Sequence, residues 1–265
     1  MERKCILIAT KTYPSISKKY RETVCTAGVL LDENNQPLEW IRIYPVRYRK
    51  LDFDRRYPRW SIISALIEKN DKDSRPESYR IDDSSIEIIR TISPVDKWSE
   101  RKYFLLPLLY RSIRDLKENN RSLGLIKPKN IIEYYSEKTE REWKPKQQAT
   151  LDQLDLFELP VELEKIPYRF GYRFIDNDNE EHRYSISDWE ISQLYRNCRD
   201  KSTHKELQKK EAEALEMVRK KLEDNFLSKK DLYFIVGNLK DRRNIFMIIG
   251  LFYPPIIEAE QLTLF

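Results

Sequence analysis

The residues best equipped for chemistry are carboxylates gathered around one of only two histidines, His182 and His204. Asp176, Asp178, Glu180, Glu181, His182, Asp188 and Glu190 form the densest such group. Two or three carboxylates converging on Mg²⁺, usually beside a lysine, are what metal-dependent phosphodiester cleavage requires. A plainer reading is stronger. The first four acids spell a polar hairpin turn, and Asp188 and Glu190 suit a helix N-terminus, where anions are stabilised. Asp82, Asp83 and Glu87 begin like an Asp…Glu-x-Lys nuclease core, yet no lysine follows at the required place. His182, Cys198 and His204 do not match a usual zinc spacing, and Cys25 has no histidine nearby in sequence to activate it.

Other chemistries are excluded by count. The five glycines, at 28, 124, 171, 237 and 250, cannot spell a dinucleotide fingerprint, a P-loop or a nucleophile elbow. Cys5, Cys25 and Cys198 are odd in number and contain no C-x-x-C pair. Reduced thiols in a cytoplasmic protein are therefore expected. No stretch of 18 apolar residues exists to span a membrane, and the apolar run at 5–9 is too short for a signal peptide. The expectation is no cofactor and no metal, with Mg²⁺ entering only if the chain is a nuclease.

Charge points to a partner. The formal net charge is +5, from 49 basic and 44 acidic side chains. Thirteen of the basic and seven of the acidic residues fall in the first sixty, a local +6 that leaves the remainder near neutral. Between 42 and 60, Arg42, Arg47, Arg49, Lys50, Arg55, Arg56 and Arg59 alternate with Tyr44, Tyr48, Phe53, Tyr57 and Trp60. Upstream, Lys11, Lys18, Lys19 and Arg21 accompany Tyr13 and Tyr20. Cations neutralise phosphates and release counterions, while aromatic rings and guanidinium planes stack on bases. Arginine, the better phosphate fork, outnumbers lysine six to one across 42–60. The expected nucleic-acid-binding residues are these eleven cations together with Tyr48, with DNA favoured over RNA.

The elements that must carry these residues follow from periodicity. Apolar and β-branched runs at 5–10, 23–31, 39–44, 60–68 and 86–92 predict strands, separated by polar turns. A three-and-four spacing over 97–118 predicts a helix, which Pro107 should kink or split. A short strand near 131–135 is expected to return to the first sheet. Residues 137–166 read as a charged, glutamine-rich linker. A hairpin (168–175, 182–186) should follow, then two helices opened by capping boxes at 187–190 and 203–206, the second running to about 226. Strands at 232–239 and 245–253 close the chain. The expected class is α+β, with a β-rich, small-barrel domain over 1–136, the linker, a ββααββ domain over 167–255 and a tail over 256–265. In outline the first half is similar to small barrels of the PUA/ASCH type, whose members bind RNA or modified bases.

One pentapeptide occurs twice. Gln153-Leu154-Asp155-Leu156-Phe157 lies in the linker, and Gln261-Leu262-Thr263-Leu264-Phe265 ends the chain. Both resemble the Gln-Leu-(Ser or Asp)-Leu-Phe peptide by which bacterial polymerases and mismatch-repair proteins dock on the replication sliding clamp. The first copy matches throughout, and the second departs only at Thr263. The resemblance implies that Gln153 and Gln261 orient the peptide by hydrogen bonds. It implies too that Leu156-Phe157 and Leu264-Phe265 fill an apolar pocket, with Leu154 and Leu262 in its shallower neighbour. The expected partners are thus the clamp and nucleic acid, and no membrane. The expected role is that of a DNA-associated accessory protein in DNA maintenance, a mobile element or defence. A clamp-docked nuclease or other nucleic-acid-modifying enzyme is the alternative.

Overall fold

A computed structural model describes residues 1–17, 20–152, 162–240 and 242–257. The apolar runs of the first third form β1 (Glu2–Lys11), β2 (Ser15–Ser17), β3 (Arg21–Leu31), β4 (Pro37–Val46), β5 (Ser61–Lys69), β6 (Ser78–Ile81) and β7 (Glu87–Thr91). β1 lies antiparallel to both β3 and β5, β3 pairs with β4, and β5 pairs with β6. A short parallel pairing of β4 with β6, Arg42 opposite Ser78 and Ile43 opposite Tyr79, closes the ring. The result is a five-stranded barrel in the order β1-β3-β4-β6-β5, with β2 and β7 appended.

The near-continuous apolar reading of β1 has a simple cause: both faces are buried. Ile6 and Ile8 point into the barrel with Ile41, Ile43 and Ile63. Leu7 and Ala9 point outward into a second core containing Trp60, Ile62, Leu125, Tyr233, Ile249 and Phe252, so the two halves of the chain share it. Gly250 permits the close approach at this seam. A Cβ there would sit 2.6 Å from the Thr10 side chain, whose hydroxyl donates to the Ile249 carbonyl at 2.8 Å.

The segment expected as one helix is broken. α1 (Val95–Leu105) contains positive φ angles at Asp96, Lys97 and Trp98, and a 3₁₀ turn carrying Pro107 ends it. Then come β8 (Leu109–Tyr110), α2 (Ile113–Glu118), β9 (Leu123–Ile126), β10 (Asn130–Lys138) and α3 (Pro145–Asp152). The rest is β11 (Tyr168–Ile175), β12 (Glu181–Ser185), α4 (Trp189–Lys201), α5 (Leu207–Arg219), a π-helical turn (Lys220–Asn225), α6 (Phe226–Lys229), β13 (Tyr233–Leu239) and β14 (Arg242–Phe252). The class is α+β, rich in strand, with the expected barrel first and ββααββ order at the end.

Three expectations are corrected. The strand near 131–135 does not rejoin the first sheet: β10 pairs with β11 along its length, and β9 pairs with β13. Ile131 and Tyr134 thereby pack against the second half's core, around Phe174, Tyr172 and Val218. Asp188, not Ser187, caps α4, accepting from Glu190 N at 2.8 Å. Ser187 is held extended because its N–H donates to Ile248 O and its carbonyl accepts from Tyr13 N. The second capping box does not form. α5 begins at Leu207, after Glu206, with no side-chain cap. Within the expected linker, Trp143 Nε1 donates to Leu163 O at 2.8 Å and Leu151 of α3 is buried, so much of it is docked.

Candidate nucleic-acid interface

Between β4 and β5 the chain makes two 3₁₀ turns, Tyr48–Lys50 and Phe53–Arg55. Arg47, Arg49, Lys50 and Arg56 are exposed on them and Arg55 is partly so. Arg49 reaches Glu22 at 2.9 Å, Arg55 reaches Asp52 at 2.9 Å, and Arg47 reaches Asp83 at 3.4 Å. Only the Arg55–Asp52 pair is open to solvent on both sides and therefore weak; Arg49 faces buried Glu22, Asp83 is mostly covered, and Arg56 donates to Leu51 O and Arg49 O. Arg47, Lys50 and Arg55 also line a hollow of about 170 Å³. On the second turn Phe53 is 91% exposed, the most solvent-exposed large hydrophobic side chain among the described residues. The alternation of cations and aromatics in the sequence contained this signal, although Phe53 was not among the expected site residues.

Four expected residues do not belong to that surface. Arg42 is buried, donating to Glu77 at 3.0 Å and to the hydroxyl and carbonyl of Ser122 at 2.9 and 3.0 Å. Arg59 is buried too, donating to Ala9 O, Leu251 O and Glu190. Lys11 donates to Tyr48 Oη and Tyr57 O, both at 2.8 Å, and burial pulls its pKa down to about 8. The Tyr48 ring lies edge-on to Tyr57 and Trp189 and stacks under Lys11, so it is not a free platform. A cation on a strand looks the same in sequence whether it faces water or a buried carboxylate. Lys18 and Lys19 lie outside the described residues, and Arg21 begins β3.

The acidic groups are mostly occupied. Asp176 accepts from the backbone of Ile113, Asp178 and Glu180 and pairs with His182 at 2.9 Å, and Glu180 pairs with Arg114. Ligand atoms of Asp176, Glu180 and His182 nevertheless lie within 4.8 Å of one another, close enough to share a divalent cation. Asp82, Asp83 and Glu87 turn to different partners: Ser84, Arg47 and Arg3. Burial raises the Cys25 thiol pKa, the opposite of what a nucleophile needs.

A cleft of about 440 Å³ was not anticipated. One wall comes from the barrel, with Tyr13, Cys25 and Tyr44, and the other from the β13–β14 hairpin, with Asn238, Met247 and Ile249. The profile of a family described only as a domain of unknown function, DUF8757, matches residues 110–265. The chain belongs to that family. A second profile, DUF8758, also a domain of unknown function, matches residues 2–107. No curated protein matches the chain. The division falls between α1 and β8, where pairing passes from the barrel to the later sheets. The DUF8758 part supplies the cationic turns, the DUF8757 part the acidic cluster, and the cleft takes a wall from each. No helix among the described residues is long and apolar enough to cross a membrane.

Proposed function

We propose that this protein is a DNA-associated accessory factor that docks on the bacterial replication sliding clamp and holds nucleic acid on its barrel side. The repeated pentapeptide at 153–157 and 261–265 carries the clamp reading. Both copies lie outside the described residues. A short peptide that presents a leucine, a phenylalanine and an orienting carboxamide has what groove docking uses. Nucleic-acid binding is supported by the exposed arginines beside Phe53. A role in DNA maintenance, a mobile element or defence accords with both. The deciding measurement is clamp affinity for the native chain and for the variant with Leu156, Phe157, Leu264 and Phe265 all changed to alanine. Binding should vanish in the variant, and an unaltered affinity would eliminate the clamp reading.

Delivery of a metal-dependent nuclease to the clamp is the second reading, favoured by the convergence of Asp176, Glu180 and His182. Incubation with plasmid and single strands in Mg²⁺ or Mn²⁺ distinguishes it. Cleavage that disappears in Asp176→Asn would establish an enzyme; intact substrates with every metal would leave a binding factor.

A further inference from the structure

We infer that the cleft between the barrel and the β13–β14 hairpin receives an unpaired nucleotide of a single strand, its base inside and its phosphate at the mouth. This rests on the nucleic-acid reading above and assigns it a second site, distinct from the arginine turns. Three observations carry it.

The lining is cationic. It includes Arg42, Arg75, Lys240 and Arg242, and none of the fifteen described lining residues is acidic. The two inner arginines are already neutralised, Arg42 by Glu77 at 3.0 Å and Arg75 by Asp73 at 2.6 Å. Lys240 and Arg242 are exposed and, among the described residues, have neither a hydrogen-bond nor an ion-pair partner. Unspent positive charge therefore sits at the mouth, where an anion can meet it.

The interior is aromatic and apolar, from Tyr13 and Tyr44 on one side and Met247 and Ile249 on the other. Within it Asn238 is 9% exposed. Its amide nitrogen donates to Arg243 O at 2.7 Å, while its carboxamide oxygen has no partner. A buried acceptor without a donor is costly; this oxygen has almost no accessible surface, so a ligand N–H relieves it once the side chain turns toward the cleft. A nucleotide joins a planar group carrying N–H donors to an anion, and so matches this lining. Size decides between strand forms: at about 440 Å³ the cleft is within the range of sites that enclose a small ligand, and it has no room for a duplex.

DNA and RNA offer the same base and phosphate, so the test uses both. Oligo-dU and oligo-U twelve-mers, each with one photoreactive 5-iodo-substituted base, are cross-linked to the full chain, and the adducts are mapped by mass spectrometry. A blunt duplex of equal length serves as the control. Adducts are expected on Tyr13, Tyr44 or Met247. The double variant Lys240→Glu, Arg242→Glu, confined to an exposed hairpin tip, should weaken single-strand binding about tenfold or more and reduce the salt slope by about 2. Duplex affinity should change less. Stronger binding of the RNA than of the DNA twelve-mer would assign the 2′-hydroxyl a part, and equal binding would place recognition in base and phosphate alone; either agrees with the cleft. Adducts confined to 47–56, with unchanged affinity in the double variant, would overturn the cleft site and leave nucleic-acid binding standing. Salt-insensitive or absent binding of every oligonucleotide would instead remove the nucleic-acid reading itself.

Discussion

The guanidinium of Arg59 lies 2.7 Å from the carboxylate of Glu190, joining the barrel to the start of α4 across the seam between the halves. Arg59 also donates to Ala9 O and Leu251 O and lies 3.8 Å from buried Asp188. Arg59→Ala leaves Asp188 without its cation and should cost about 3–5 kcal/mol, read from the urea midpoint. Arg59→Lys should recover only part of that, because one ammonium cannot replace a planar fork reaching two carbonyls and a carboxylate. A loss below about 1 kcal/mol for the alanine variant would show that the seam does not depend on this residue.

Lys11 gives a pH signature. Burial holds its folded-state pKa near 8, against 10.5 for an ordinary lysine. Between those values the folded chain binds fewer protons than the unfolded one, so stability should rise with pH across that window. The gain attributable to Lys11 is at most about 3 kcal/mol. Lys11→Met should abolish this part of the rise, measured as the difference between the two stability profiles from pH 7 to pH 11. Parallel profiles would contradict it.

The exposed and buried arginines should separate in a salt titration. Reversing Arg47, Arg49, Arg55 and Arg56 should flatten the dependence of log affinity on log salt by about one unit per lost phosphate contact. Thermal stability should fall by less than on Arg42→Met, the loss coming from Arg49, whose partner Glu22 is buried, and from Arg56, which holds two backbone carbonyls. Arg42→Met should lower stability more, because Glu77 loses its cation in the interior, with little effect on the salt slope.

Phe53→Ala should leave the melting temperature nearly unchanged, since the ring is 91% exposed and surface changes usually stay within about 0.5 kcal/mol. Its affinity for single strands should fall by about 1–3 kcal/mol if the ring stacks on a base. Anisotropy titrations with an abasic oligonucleotide provide the check: there the variant and the native chain should bind alike.

Deleting the last five residues leaves one pentapeptide. If both copies engage one clamp ring, the truncated chain should bind roughly 10²–10⁴ times more weakly than the native one, without change in the intrinsic affinity of the remaining copy. A loss of only about twofold would mean that the copies act one at a time.

The legible parts of the fold were those with a local period. β1, β3, β4 and β5 announce themselves because apolar side chains crowd both their faces, as Ile6 and Leu7 do on opposite sides of β1. β6 hid in a polar stretch because it pairs with only two residues of β4, and ring closure is a long-range demand that Ser78 and Tyr79 do not advertise. The destination of β10 was equally invisible, since nothing in Ile131–Tyr135 says which sheet will take it. At the site, Arg42 and Arg47 are indistinguishable as letters. What separates them is Glu77, 35 positions away, buried beside one and not the other. Lys240 and Arg242 carried a signal in their charge, but their meaning depends on Tyr13 and Tyr44 arriving opposite them from the other end of the chain.

Gly250 has a consequence for how the molecule must be made. Because β14 touches β1 through a gap that tolerates no side chain, and because Leu7, Trp60, Tyr233 and Phe252 occupy the same apolar interior, neither profile-matched segment is self-sufficient. A ribosome that stopped near residue 107 would release a barrel with one greasy flank bare to water. The two segments are better regarded as complementary parts of one obligate unit, and separate expression of either should yield aggregate until the other is supplied.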